Sequence, residues 1–112
     1  MEYLFSYGTL QKERVQLELF GRLLTGTPDS LQGYRTSQLE ITDQRFLSRG
    51  EQKHQLTAVR SDEKDSIKGT VFEISADELA RSDEYEPEGY ERIEVRVESG
   101  KKAWLYLLAE TA

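Results

Sequence analysis

From Tyr90 to Val97 the chain reads Tyr-Glu-Arg-Ile-Glu-Val-Arg-Val, apolar side chains alternating with charged ones. A period of two belongs to a strand, whose side chains point alternately to opposite faces, so one face here is dry and the other wet. After the turn-forming stretch Ser99-Gly100-Lys101-Lys102, residues Ala103 to Glu110 supply a second strand. Tyr90–Glu98 and Ala103–Glu110 therefore form a hairpin, which commits this end of the chain to an antiparallel sheet covered on one side.

The remaining apolar runs are equally short. Tyr3 to Tyr7, rich in aromatics, reads as a buried strand that stops at Gly8. Thr9 is placed to cap a helix over about Gln11 to Phe20, with Val15, Leu19 and Leu23 on one face and Gly21 as its terminator. Leu23–Thr27 and Tyr34–Ile41 read as strands separated by the turn-rich Thr27-Pro28-Asp29-Ser30. Thr42 to Lys53 is polar and reads as a loop with a short extended piece at Arg45–Ser48. Leu56–Arg60 and Ile67–Ile74 are expected strands on either side of a charged turn, Ser61 to Asp65. Ser75-Ala76-Asp77-Glu78 has the spacing of a capping box, which opens a short helix from Ala76 to Asp83. Many strands with two short helices, and no repeat or linker, predict one α+β domain over residues 1–112, built on a curved sheet or small barrel.

Several functions are disfavoured by what the chain contains. Its 21 acidic and 15 basic side chains give a net charge of −6, with no basic run to meet a phosphate backbone, so no nucleic-acid partner is expected. There is no cysteine, hence no disulfide, thiolate nucleophile or zinc–cysteine site. The single histidine, His54, lies in a polar stretch and reads as a solvated loop residue, which leaves no imidazole for a triad and a poor set of transition-metal ligands. Asp62, Glu63 and Asp65 lack the spacing and the glycine of a calcium loop. No leader-like stretch precedes Gly8 and no run approaches about 18 apolar residues, so a soluble, cytoplasmic protein without a membrane partner is the expectation.

Two segments carry chemistry. Tyr7-Gly8-Thr9-Leu10 joins a strand to a helix through glycine, a turn that leaves backbone N–H groups pointing outward as an anion cradle; a plain turn is the alternative. Asp83-Glu84-Tyr85-Glu86-Pro87-Glu88 crowds carboxylates at a helix end, where the macrodipole disfavours them, and an acidic surface loop is the alternative. Crowding and partial burial behind Tyr85, Pro87 and Tyr90 would raise a glutamate from about 4.3 toward the range of a base that works near neutral pH. Arg92 is available to pair with one of these acids.

Together, Phe5-Ser6-Tyr7-Gly8-Thr9-Leu10-Gln11, Gly69-Thr70-Val71-Phe72-Glu73-Ile74, Asp83-Glu84-Tyr85-Glu86 and Tyr90-Glu91-Arg92 resemble the γ-glutamylcyclotransferase-like family, also called AIG2-like, over almost the whole chain. The resemblance implies a small mixed β-barrel with short flanking helices and a cavity at one barrel end. It implies Glu86 as the catalytic base, with Tyr7, Gly8, Thr9 and Leu10 lining the cavity and offering their amides, and with Tyr90 and Arg92 beside the substrate. Pro87 stands where many members carry glycine, and Ser82 where leucine often precedes the aspartate.

The implied reaction is an intramolecular aminolysis of a small γ-glutamyl compound, an amide-cleaving lyase or acyltransferase step that yields 5-oxoproline and a free amine or amino acid. It calls for no metal and no cofactor. A non-enzymatic small-molecule-binding module on the same barrel is the alternative, and an adaptor acting through an acidic surface is a third reading. The identity of the leaving amine and the oligomeric state are not encoded in any motif.

Overall fold

A computed structural model describes residues 1–109. Strand β1, Glu2–Ser6, opens the chain and is followed by a 3-10 turn at Thr9–Gln11 and helix α1, Glu13–Phe20. Strands β2 (Thr25–Gln32) and β3 (Tyr34–Glu40) lead to a single helical turn, α2, at Gln44–Leu47. Strands β4 (His54–Arg60) and β5 (Ser66–Ile74), helix α3 (Ala76–Tyr85) and strands β6 (Tyr90–Arg96) and β7 (Lys102–Leu108) complete the fold.

Five strands form one sheet in the order β2-β5-β1-β7-β6, and β3 and β4 form a separate ribbon. All pairings are antiparallel except β1 against β7, where Leu4 opposes Trp104. The sheet is covered on both faces, which period-two alternation along its central strands makes possible. Leu4, Phe72, Ile74 and Tyr106 point into a cluster with Val15, Phe20 and Leu79 of the helices. Their neighbours Phe5, Val71, Leu105 and Leu107 point the other way, against Tyr34 and Ala58 of the ribbon.

The expected closed barrel is not formed: among the described residues both sheets are open, with β2 and β6 as edges. Where β4 passes β7, side chains bond across the seam. Thr57 Oγ1 accepts the Leu108 N–H at 2.9 Å, and the Ala58 N–H donates to the Tyr7 hydroxyl at 2.9 Å.

Local signals produced the elements where local chemistry suffices. Both reciprocal bonds of the Ser75–Glu78 capping box are made, and α3 runs two residues past the expected Asp83. Gly21 terminates α1 in the left-handed region at φ 72°, its N–H returning to the Leu17 carbonyl. Beyond it the chain leaves the helix direction, so Leu23 is 49% exposed rather than on a buried face with Val15. Thr9 does not cap α1, which begins four residues later, and its Oγ1 accepts the Tyr85 hydroxyl instead.

Two further expectations are corrected. Thr27-Pro28-Asp29-Ser30 is not a turn but the middle of β2, paired with β5. An edge strand tolerates proline because its outward N–H needs no partner, and the reversal falls at Gly33 with φ 88°. Arg45–Ser48 is not extended: Asp43 caps the helical turn α2, accepting the Arg45 N–H at 3.0 Å, and burial of Phe46 (2% exposed) holds the turn down. His54 is exposed, at the first position of β4 rather than in a loop. Glu110, the expected last residue of the final strand, lies outside the described residues.

The sheet leaves no space at Gly69, where an added methyl would run into the Ser6 carbonyl oxygen and the Phe5 ring. Gly69→Ala should cost about 1–3 kcal/mol as an overpacked contact, and Ser75→Ala about 1 kcal/mol as a lost cap. Urea denaturation of both variants measures this, and a Gly69→Ala protein as stable as the parent would mean that β1 and β5 do not approach so closely.

Candidate active site

The Glu86-Pro87 dipeptide decides how α3 ends. A residue before proline is pushed out of the helical region, because the ring clashes with its backbone. Glu86 accordingly leaves the helix as an extended cap (φ −63°, ψ 148°), its N–H still bonded to the Ser82 carbonyl. The Tyr90 N–H closes the following turn on the Pro87 carbonyl, with Gly89 at φ 95°. Asp43 fixes the turn from outside, accepting the Glu88 N–H at 2.8 Å.

This swings Glu86 toward the end of β1, into a cavity of about 40 Å³. Tyr7, Gly8, Thr9 and Leu10 form one wall, and Glu86, Pro87 and Tyr90 another. Phe46, Gln55 and Leu56 reach in from α2 and β4, and Tyr106 from β7. Six of the seven residues singled out in the sequence thus share one cavity. Arg92 does not line it: its Nε donates to Asp83 Oδ1 at 2.8 Å and its guanidinium lies 4.4 Å above the Trp104 ring. An arginine with a carboxylate and an aromatic face already in place is held outside the cavity.

Burial, and secondarily the nearby Asp83 carboxylate, push the Glu86 carboxyl up to about 8. The residue keeps some accessible surface, and it is among those that face the cavity. Among the described residues no hydrogen bond or ion pair reaches this carboxylate, although 15 basic side chains are present in the chain.

The surrounding phenols are all spoken for. Tyr7 donates to the Tyr106 carbonyl at 2.6 Å, Tyr85 to Thr9 Oγ1 at 3.1 Å, Tyr90 to the Leu56 carbonyl at 3.0 Å and Tyr106 to Asp83 Oδ1 at 2.6 Å. Burial raises all four, Tyr90 to about 12, and the Glu86 charge adds to each. They stay neutral and present oxygen lone pairs. Glu86 is therefore the group of this cavity that changes charge near neutral pH. In the same cavity, the first N–H groups of the Thr9–Gln11 turn have no partner earlier in that turn. A carboxylate base facing backbone donors can accept a proton from one part of a ligand while holding negative charge on another. Among the described residues no cluster of His, Asp and Glu is placed to hold a metal ion.

Sequence reasoning missed Phe46, Gln55, Leu56 and Tyr106. Only Tyr106 had a visible signal: a phenol inside the aliphatic run Leu105-Tyr106-Leu107-Leu108 must find a partner for its hydroxyl when buried.

A family model described as gamma-glutamyl cyclotransferase, AIG2-like, matches residues 4–112. No match to a curated protein sequence was found. Among solved structures, a solution structure from Arabidopsis thaliana is similar at a TM-score of 0.73 and 24% identity, over 98% of this chain and 63% of that one. An uncharacterized protein from Pyrococcus horikoshii is similar at 0.63 and 26% identity, over 97% of this chain and 79% of that one. A gamma-glutamyl cyclotransferase is similar at 0.71 and 24% identity, over 96% of this chain and 66% of that one. The chain thus spans less than two thirds of the length of the Arabidopsis protein, and these likenesses are likenesses of fold.

The raised Glu86 carboxyl has a stability signature. In the unfolded chain it titrates near 4.5 and in the folded protein near 8, so between these values the folded state holds the proton more tightly. Stability contributed by this group is complete below about pH 4.5 and is lost as pH rises toward 8. Glu86→Gln should therefore match the parent near pH 4 and exceed it by roughly 1–3 kcal/mol at pH 8–9. Denaturation midpoints across that range measure the gap, and a gap independent of pH would place the carboxyl in water.

Proposed function

The chain belongs to the gamma-glutamyl cyclotransferase, AIG2-like family, and from that premise we propose that it cyclises a γ-glutamyl group, releasing 5-oxoproline and an amine. The observation that carries this reading is the half-buried Glu86 carboxylate, without a partner among the described residues, in one cavity with the Tyr7–Leu10 turn.

In the proposed reaction the substrate's α-ammonium docks against Glu86, which takes one proton and leaves a neutral amine. That nitrogen attacks the γ-carbonyl carbon, and the oxyanion is held by backbone N–H groups of the turn. The bond from that carbon to the leaving nitrogen then breaks. Two of the three ammonium protons end on the leaving amine, delivered through Glu86, and the third stays on the ring nitrogen. Because nucleophile and carbonyl share one chain, the reaction draws on effective molarities of about 10⁵–10⁸ M, and little machinery is needed beyond a base and oriented donors. The cavity is well below the roughly 300 Å³ of an ordinary ligand pocket, so the rim has to part on binding. Leu56, 42% exposed and tied to Tyr90 through its carbonyl, is where it can do so. The same small volume favours, as second reading, a module that binds a smaller ligand without turnover.

Incubation with a panel of γ-glutamyl amines and dipeptides, with 5-oxoproline as the readout, decides between them. Glu86→Gln should lower kcat by about 10²–10⁴-fold, whereas Glu84→Gln and Glu88→Gln, both on exposed residues, should be mild. Activity should rise with pH up to about 8, as the Glu86 carboxyl loses its proton, and N-acetylated substrates should be inert. Full activity in Glu86→Gln would remove Glu86 as the base. Release of no 5-oxoproline from any compound would favour the binding module.

A further inference from the structure

Asp83 is the carboxylate whose charge acts on Glu86, and it sits at a junction of three elements. Its Oδ1 accepts the Tyr106 hydroxyl of β7 at 2.6 Å and Arg92 Nε of β6 at 2.8 Å. The Arg92 guanidinium is covered by the Trp104 ring, and the Trp104 indole N–H donates in turn to Glu2 Oε1 at 2.9 Å. Asp83 and Glu86 are three residues apart at the end of α3, so the carboxylate that holds the cation lies one helical turn from the carboxylate that has none.

We propose that Asp83 is a positioning residue for the cavity: by binding Arg92 and the Tyr106 hydroxyl on one oxygen, it keeps the guanidinium off Glu86 and turns the Tyr106 oxygen into a pure acceptor. This rests on the reading of Glu86 as the base. An arginine left free beside a half-buried carboxylate would pair with it and hold it ionised but weakly basic. Asp83, with the Trp104 face behind the guanidinium, takes that role instead. Tyr106, its hydrogen committed to Asp83, offers only lone pairs, which suits a ligand ammonium and not an anion.

Asp83 of α3 is the charge that acts on Glu86, and Glu86 in turn acts on Tyr7 beside β1, Tyr90 of β6, Tyr106 of β7 and Tyr85 of α3. The tyrosines stay neutral. Beside α2, Arg49 is spent on the Tyr85 carbonyl and Asp43 on the Glu88 N–H. The Asp83–Arg92 pair is therefore the charge balance that a substitution can tip.

The test uses the full chain labelled with ¹³C at the glutamate carboxyls, Glu86 being assigned by the resonance missing in Glu86→Gln. Its titration is followed by NMR alongside the pH profile of kcat/KM for 5-oxoproline release. Asp83→Asn should move the Glu86 midpoint down by about one pH unit, and Arg92→Gln should move it up. The rate profile should follow each shift in sign. Loosened packing alone would let water reach Glu86 and move both midpoints down, so opposite signs separate positioning from mere structure. Two downward shifts, or a midpoint unchanged in either variant, would overturn the assignment. Should Asp83→Asn not fold, the direction found in Arg92→Gln decides alone. If no protein releases 5-oxoproline while the carboxyl shifts keep their opposite signs, the catalytic reading fails and Asp83 still sets the charge state of Glu86.

Discussion

The Tyr7 hydroxyl is where the two sheets of this protein meet. It donates to the Tyr106 carbonyl of β7 and accepts the Ala58 N–H of β4, so one oxygen ties the end of β1 to both. Neither backbone group has to be left unpaired at the seam, where an unsatisfied buried donor would cost about 1–3 kcal/mol. The same bond fixes the direction in which the chain enters Gly8 and Thr9. What lies on that turn, and what faces it, follows from where Tyr7 is pinned.

The opposite wall depends on a local conflict. Negative charge at a helix C-terminus is unfavourable, and burial adds to the difficulty. Pro87 forces Glu86 into the extended region all the same, and the Asp43 bond to the Glu88 N–H keeps the turn in place. The fold thus holds a carboxylate where it is least comfortable ionised, the common situation of groups that must exchange protons near neutrality. The Arg14–Glu51 pair shows the ordinary alternative, since both oxygens of a buried carboxylate there accept from one guanidinium group.

What the sequence made legible was what neighbours in sequence determine. The alternation of Tyr90–Val97, the Ser75–Glu78 box and the Gly21 terminator act within a few residues, and each appears where expected. Pro28 misled because its meaning depends on whether a strand is central or an edge, which is a property of the sheet and not of the tetrapeptide. Phe46 misled because burial against Tyr85, ring to ring at 5.6 Å, decides the conformation of an otherwise polar segment. Glu86 and the Tyr7–Leu10 turn could be picked out because their chemistry is unusual for their position. Arg92 could be matched to an acid but not to its place, since the Trp104 face that holds it comes from another strand. The element pattern left a curved sheet and a small barrel both open and the resemblance favoured the barrel, while the Thr57 and Tyr7 side chains that bond across from β4 to β7 are distinguished by no pattern.

Strand β1 carries a consequence for how the molecule comes into being. It pairs with β5 on one side and β7 on the other, and Tyr7, the residue that follows it, bonds to a carbonyl 99 residues away. During synthesis β1 can pair with β5 before β7 exists, but Leu4 and Phe5 stay only partly covered until β7 has been made. Contacts of such sequence separation are slow to form because the loop entropy has to be met before they return anything. The helices, the β3–β4 ribbon and the late hairpin can assemble from near neighbours, whereas the cavity exists only once the two ends have met. Until β7 arrives the β1 edge leaves apolar surface exposed, which is the kind of surface that chaperones hold.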